Sequence, residues 1–116
     1  MIGVDLVKLE RMKHMMERFS HKSLQKFLSE EEIKLIKNYK TAAGFWAAKE
    51  ACSKALGTGI GSECSFFDIS ISKTSKGAPK LELSQRLIQN FNIKSSSLSI
   101  THDGDYAIAV VAIESF

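Results

Sequence analysis

Hydrophobic and polar positions change their period several times along the 116 residues, and each change marks an element. Gly3 to Val7 is apolar apart from Asp5 and predicts a strand. Leu9, Met12, Met16 and Phe19 then recur at helical spacing as an apolar stripe, while Arg11, His14, Arg18 and Lys22 recur on another face. Ser29-Glu30-Glu31-Glu32 is a capping box, which predicts a helix running to about Asn38. A further helix is expected from about Thr41 to Leu56, stopping at Gly57-Thr58-Gly59. Its many small residues, Ala42, Ala43, Gly44, Ala47, Ala48 and Ala51 among them, let it lie close to its neighbours. Residues 66–72 alternate and predict a strand with Phe67, Ile69 and Ile71 on one face. Gly77-Ala78-Pro79 makes a turn before a short strand around Leu81 and Leu83, and Ser84 caps a two-turn helix ending near Asn90 to Asn92. A closing hairpin joins Ser97–His102 to Tyr106–Ile113 through Asp103-Gly104. Its second strand is apolar on both faces, so it is expected to be central and covered by helices. The fold class is α+β, with helices packed on a mainly antiparallel sheet.

At this length residues 1–116 form one domain. A composition of 44% hydrophobic and 25% charged residues is that of a globular protein. No run is long enough to span a bilayer, and the start lacks the basic and apolar segments of a signal peptide. Cys52 and Cys64 match neither a zinc pattern nor a disulfide framework, which points to a cytoplasmic protein. The net charge of +3 is concentrated: residues 8–27 carry six Lys/Arg against two Glu, while the remainder is nearly neutral. Such a segment is either a solvated helix face or a docking surface for an acidic partner. Few aromatics interleave with it, which argues against nucleic acid.

Two carboxylates stand in awkward company. Asp5 interrupts an apolar strand and Glu50 sits in the small-residue helix, where neither belongs without a partner. They are either exposed or salt-bridged groups, or the protein half of a Mg²⁺ site. Lys54, one turn after Glu50, is either an i,i+4 partner or an ammonium aimed at a phosphate. Lys49 points elsewhere and is expected to be solvated. Gly57-Thr58-Gly59-Ile60-Gly61 follows a helix and lacks a Gly-Lys-Ser/Thr ending, so it is a helix stop and not a P-loop. His102 ends a strand, a place for either a structural or a ligand-facing side chain.

The order of these pieces is specific. Gly3-Val4-Asp5-Leu6-Val7 with Arg11, Phe45-Trp46-Ala47-Ala48-Lys49-Glu50-Ala51, Lys54-Ala55-Leu56-Gly57-Thr58-Gly59, Gly77-Ala78-Pro79 and Leu98-Ser99-Ile100-Thr101-His102-Asp103 together resemble the holo-acyl-carrier-protein synthase family of 4′-phosphopantetheinyl transferases. The resemblance covers nearly the whole chain. It implies transfer of phosphopantetheine from coenzyme A to a serine of an acyl carrier protein, in support of fatty acid biosynthesis. It also implies Mg²⁺ held by Asp5 and Glu50, with Lys54 on the diphosphate. Glu50 is the first candidate for the base that takes the serine proton, and Asp5 the second. His102, Gly77 and Pro79 match positions near the coenzyme A phosphates and adenine. Arg11 matches a carrier-docking arginine, around which His14, Arg18, Lys22 and Lys26 add charge. A homotrimer is implied, with active sites between subunits and the nucleotide turn supplied by a neighbour.

One departure stands out. The family often places Arg where this chain has Phe45, so the nucleotide phosphate falls to Lys40, Lys73 or Lys76. Trp46 in place of the usual Phe reads as packing. The competing readings are a non-catalytic binding protein of this fold, against which the joint presence of Asp5, Glu50 and Lys54 argues, and a small nucleic-acid-binding module.

Overall fold

The computed structural model describes all 116 residues. Strand β1 (Ile2–Lys8) leads into helix α1 (Leu9–Phe19), α2 (His21–Gln25), α3 (Glu30–Ile33) and the long α4 (Tyr39–Ala55). A 3₁₀ turn over Phe66–Asp68 precedes β2 (Ile69–Lys73) and β3 (Pro79–Leu83), followed by α5 (Gln85–Phe91), β4 (Ile93–Asp103) and β5 (Tyr106–Ser115). The strands form a three-stranded sheet in the order β1-β5-β4 and a separate β2-β3 hairpin, all antiparallel. The expected α+β class is what forms.

Alternation decides which residues face α4. On β1 the helix side takes Gly3 and Val7, with Asp5 between them, and on β5 it takes Ala107, Ala109, Val111 and Ile113. Alanine on the sheet and alanine on α4 let the two layers close. Gly3 is the extreme case: a Cβ there would lie 1.9 Å from Ala51 O and 2.5 Å from Ala55 N. Asp5, two residues along the same face, is thereby pressed toward α4.

The other face of the sheet departs from expectation. β5 is central as read from sequence, but helices cover only one of its sides. Ile2, Val4, Leu6 and Val110 stand 75%, 55%, 57% and 41% exposed on the other. Register puts Val4 opposite Val110 and Leu6 opposite Ile108, so these side chains form one apolar surface.

Other boundaries also move. The helix expected to reach Asn38 stops at Ile33, where Leu35 and Ile36 donate to Glu32 O and Ile33 O in tight i→i−3 bonds. Its capping box does form, with Ser29 and Glu32 bonded reciprocally. The strand expected from residue 66 begins at Ile69, because Ser65 and Asp68 form a second capping box around the 3₁₀ turn. Phe67 is consequently exposed and does not share a face with Ile69 and Ile71. Arg86 of α5 donates to the Asp68 carboxylate and to Ser62 O, stapling this turn to the loop after α4. That pairing, ahead of a smaller opposing effect of burial, holds the Asp68 carboxyl well below its ordinary value.

Lys49 is not solvated. It is fully buried, and its ammonium donates to Phe27 O at 2.8 Å, Glu32 Oε1 at 2.8 Å and Phe66 O at 3.0 Å. Burial pulls the Lys49 pKa down, against the raising effect of Glu32. Removing one member of such a pair costs about 3–5 kcal/mol, since the other is left charged in the interior. Cys52 and Cys64 are free thiols and fully buried. Burial pushes Cys52 up to about 12 and Cys64 up to about 11.

Candidate active site

The carboxylates singled out in the sequence lie in one neighbourhood, near enough for the charge of Asp5 to act on Glu50. Asp5, on the helix-facing side of β1, accepts a hydrogen bond from Lys54 Nζ through Oδ1 at 2.8 Å. Glu50, one turn before Lys54 on α4, is partly buried beside them. Its carboxyl is raised above the ordinary value, first by burial and then by the Asp5 charge, with Lys54 opposing. The Lys54 ammonium is raised in turn, chiefly by its hydrogen bond to Asp5. Lys54 thus pairs across the elements to Asp5, and the simple i,i+4 reading is incomplete.

The donor set has a definite chemical character. Two carboxylates come from different elements, and one of them, Glu50, is disfavoured as a free anion. No group of three or more His, Cys, Asp or Glu gathers anywhere, so the protein does not build a closed metal cage. A pair of carboxylates suits a hard divalent cation that completes its shell with water and phosphate oxygens. The ammonium beside them adds a point charge for an anion.

A second group forms toward the start of α4. His102, Gly77, Pro79 and Lys73 line a cavity of about 250 Å³ together with Thr41, Gly44, Phe45 and Ile100. His102 Nε2 donates to Lys40 O at 2.9 Å, which fixes the ring over Gly44. Gly77 has φ +85, a conformation glycine adopts without strain. Of the three lysines expected to replace the missing arginine, only Lys73 lines this cavity. Lys40 borders a separate polar cleft with Lys8, Lys13 and His14, and Lys76 borders neither. Phe45 is buried in the cavity wall. The lining of this cavity does not include Asp5, Glu50 or Lys54, and Gly44 and Glu50 are separated by about 9 Å along the helix axis.

The basic residues divide. Arg11 lines a small cavity of about 50 Å³ with Val7, Met12, Met15 and Trp46. His14 lies 3.7 Å from Glu10 on the exposed side of α1, and the Arg18 guanidinium stacks over the half-exposed Phe19 ring. Lys22 leaves this face. Helix α1 ends at Phe19, and Ser20 turns the chain with φ 50 and ψ −135, so Lys22 and Lys26 lie beyond that break. Lys26 returns to Phe19 as well, 5.1 Å from its centroid. Trp46 packs edge-on to Phe27 and against Phe66, each at 4.9 Å, in keeping with a packing role.

Sequence reasoning missed Lys49 and Glu32 as a connected pair, and Asp68 with Arg86. The pattern Ser65-x-x-Asp68 was a visible signal for the second of these; no local pattern joins residues 32 and 49.

Comparison with known proteins agrees over the whole chain. A family model described as the 4′-phosphopantetheinyl transferase superfamily matches residues 1–111. The holo-[acyl-carrier-protein] synthase of Sulfurimonas denitrificans is 64% identical over 115 residues, covering 99% of this chain and 95% of that protein. The synthase of Campylobacter fetus is 54% identical over 114 residues, covering 98% and 99%. The crystal structure of Helicobacter pylori holo-[acyl-carrier-protein] synthase in complex with coenzyme A is similar at a TM-score of 0.94 and 50% identity, covering 98% of this chain and all of that one. With fold, site order and relatives in agreement from end to end, the chain belongs to the 4′-phosphopantetheinyl transferase superfamily.

Proposed function

We propose that this protein is a Mg²⁺-dependent holo-[acyl-carrier-protein] synthase. It transfers 4′-phosphopantetheine from coenzyme A to a serine of apo-acyl carrier protein and releases adenosine 3′,5′-bisphosphate. The observation that carries the reading is the convergence of Asp5, Glu50 and Lys54, with the 2.8 Å bond from α4 to β1 at its centre. The names of its relatives, 64% and 54% identical, support the same activity; fatty acid biosynthesis in the cytoplasm is the setting we propose for it.

In the reaction the serine oxygen bonds to the β-phosphorus of coenzyme A, and the bond from that phosphorus to the bridging oxygen breaks. The bridging oxygen leaves on the nucleotide, and the serine proton must be removed. Asp5 and Glu50 would hold Mg²⁺, which supplies charge neutralisation at the diphosphate. Lys54 balances developing negative charge on the phosphoryl oxygens. Glu50, on α4 beside Asp5 and Lys54, takes the serine proton directly or through a water, and Asp5 is the second candidate. His102, Lys73 and the Gly77–Pro79 turn enclose the nucleotide portion. Transfer to an apo-carrier with coenzyme A and Mg²⁺, halted by EDTA and restored by added Mg²⁺, is the expected result. Full turnover in EDTA would remove the metal from this reading.

The carrier protein docks on α1. Acyl carrier proteins are acidic, and Arg11 and Arg18 present positive charge from one helix that also carries His14, with Lys22 and Lys26 beyond the break at Ser20. Arg11→Glu is expected to raise the carrier KM by about tenfold at low salt with little change in the coenzyme A KM. An unchanged carrier KM would remove Arg11 from the interface.

The uncovered sheet face supports a homotrimer. Ile2, Val4, Leu6 and Val110 form a contiguous apolar surface, which is costly to leave in water. Sedimentation velocity is expected to give a trimer for the unaltered chain and a monomer for Leu6→Lys; a monomeric unaltered chain would end this reading.

A further inference from the structure

α4 is held from two sides, by close packing alone on one and by packing together with a buried ion pair on the other. On the sheet side Gly3 meets the backbone of Ala51 and Ala55. On the opposite side a single buried ammonium, Lys49 Nζ, reaches three separate segments. Phe27 O belongs to the loop after α2, Glu32 Oε1 to α3, and Phe66 O to the 3₁₀ turn. Glu32 is saturated in turn, since Oε1 also accepts from Ser29 N–H and Oε2 accepts from Ile71 N–H at 2.9 Å. All three ammonium protons and both carboxylate oxygens are therefore used, and no buried polar side-chain atom is left without a partner.

Stability alone does not account for an ion pair here. A buried pair is commonly replaced by apolar residues of similar volume without loss, so its value lies in fixing one arrangement among several. Lys49 is the residue next to Glu50, and neighbours on a helix point about 100° apart. Fixing the azimuth and height of α4 at residue 49 therefore fixes the direction of Glu50, and of Lys54 one turn later. The alanine face toward the sheet offers few large side chains to set that rotation, and on the Lys49 side Trp46 packs on Phe27 and Phe66, the segments whose carbonyls the ammonium holds.

We propose that Lys49, anchored by Glu32, is a positioning residue for the reaction: it sets the rotation of α4 that aims Glu50 and Lys54 at Asp5. This rests on the reading of Asp5, Glu50 and Lys54 as the reacting site.

Two full-length variants test it beside Glu50→Gln. Lys49→Met/Glu32→Gln removes both charges while nearly keeping volume, and the glutamine retains an acceptor for Ile71 N–H. Glu32→Asp keeps both charges and shortens the anchor by one methylene. Thermal melts establish the folded fraction, and kcat, both KM values and Mg²⁺ affinity by calorimetry are measured per folded molecule. In the double variant kcat is expected to fall about 10²-fold. Mg²⁺ affinity is expected to weaken about tenfold, with the carrier KM within about threefold of the unaltered protein. Glu32→Asp moves in the same direction by a smaller factor. A merely structural pair lowers only the melting temperature, so unaltered kcat and Mg²⁺ affinity in either folded variant overturns the proposal. Failure of the underlying reading is distinct, because Glu50→Gln would then keep its turnover.

Discussion

Glu50→Gln is expected to lower the transfer rate by about 10³-fold at saturating Mg²⁺ and substrates, and to make the metal-free protein more stable at neutral pH. The two effects share a cause. Glu50 is ionised against partial burial and against the charge of Asp5, which together raise its carboxyl above the ordinary 4.5. A raised folded-state value means the folded protein binds the proton more tightly than the unfolded chain does. The contribution to stability is therefore complete below the unfolded value and is lost as pH rises through the folded one. An amide cannot ionise and escapes that loss, but it supplies neither a metal-binding anion nor a proton acceptor. Melting temperatures in EDTA should accordingly coincide for the two proteins near the acid end of this window. They should separate in favour of the variant as pH rises above it. Near-normal turnover of Glu50→Gln at saturating Mg²⁺ would count decisively against Glu50 in the reaction.

Gly3→Ala should be the most damaging conservative change in the chain, destabilising it by about 3 kcal/mol or more and removing activity from what remains folded. A methyl at this position would sit 1.9 Å from Ala51 O and 2.5 Å from Ala55 N, and both are backbone atoms that no rotamer change can move. β1 must then lift from α4 and carry Asp5 away from Lys54. Gly44→Ala is the contrasting case, because its nearest neighbours are the side chains of Ile100 at 3.1 Å and His102 at 3.5 Å. Those can yield, so a smaller loss of stability and a higher coenzyme A KM are expected there. Urea denaturation and steady-state rates on both variants separate the outcomes. A Gly3→Ala protein with unaltered stability would mean that β1 and α4 do not meet as described.

What could be read from sequence was local. Ser29 with Glu32 and Ser84 each declare their structure within a few residues and formed where expected, while the closing hairpin formed with its turn one residue later, at Gly104-Asp105. The fold class and the central place of β5 followed from the same patterns. Asp5 and Glu50 showed themselves as carboxylates in apolar company, but spacing could not show that they share one neighbourhood. Their closeness depends on Gly3 and on the alanine face of α4. What failed was decided by partners distant in sequence. Glu32 is drawn inward by Lys49, seventeen residues on, and Phe67 is turned outward by a 3₁₀ turn that Arg86 holds through Asp68. Lys22 was lost from the α1 face through one backbone angle at Ser20. The apolar pattern of β5 placed it centrally in the sheet, but it misled about cover, because helices pack on one face only and leave Val110 41% exposed on the other.

The two buried thiols give the molecule a built-in clock. With Cys52 near 12 and Cys64 near 11, the thiolate that alkylating reagents and oxidants attack is almost absent at neutral pH while the chain is closed. Cys52 lies on α4 between Glu50 and Lys54, so exposing it requires the helix that carries them to detach. The rate at which a thiol reagent marks Cys52 therefore times the opening of the active-site helix itself, in a protein that needs no added label.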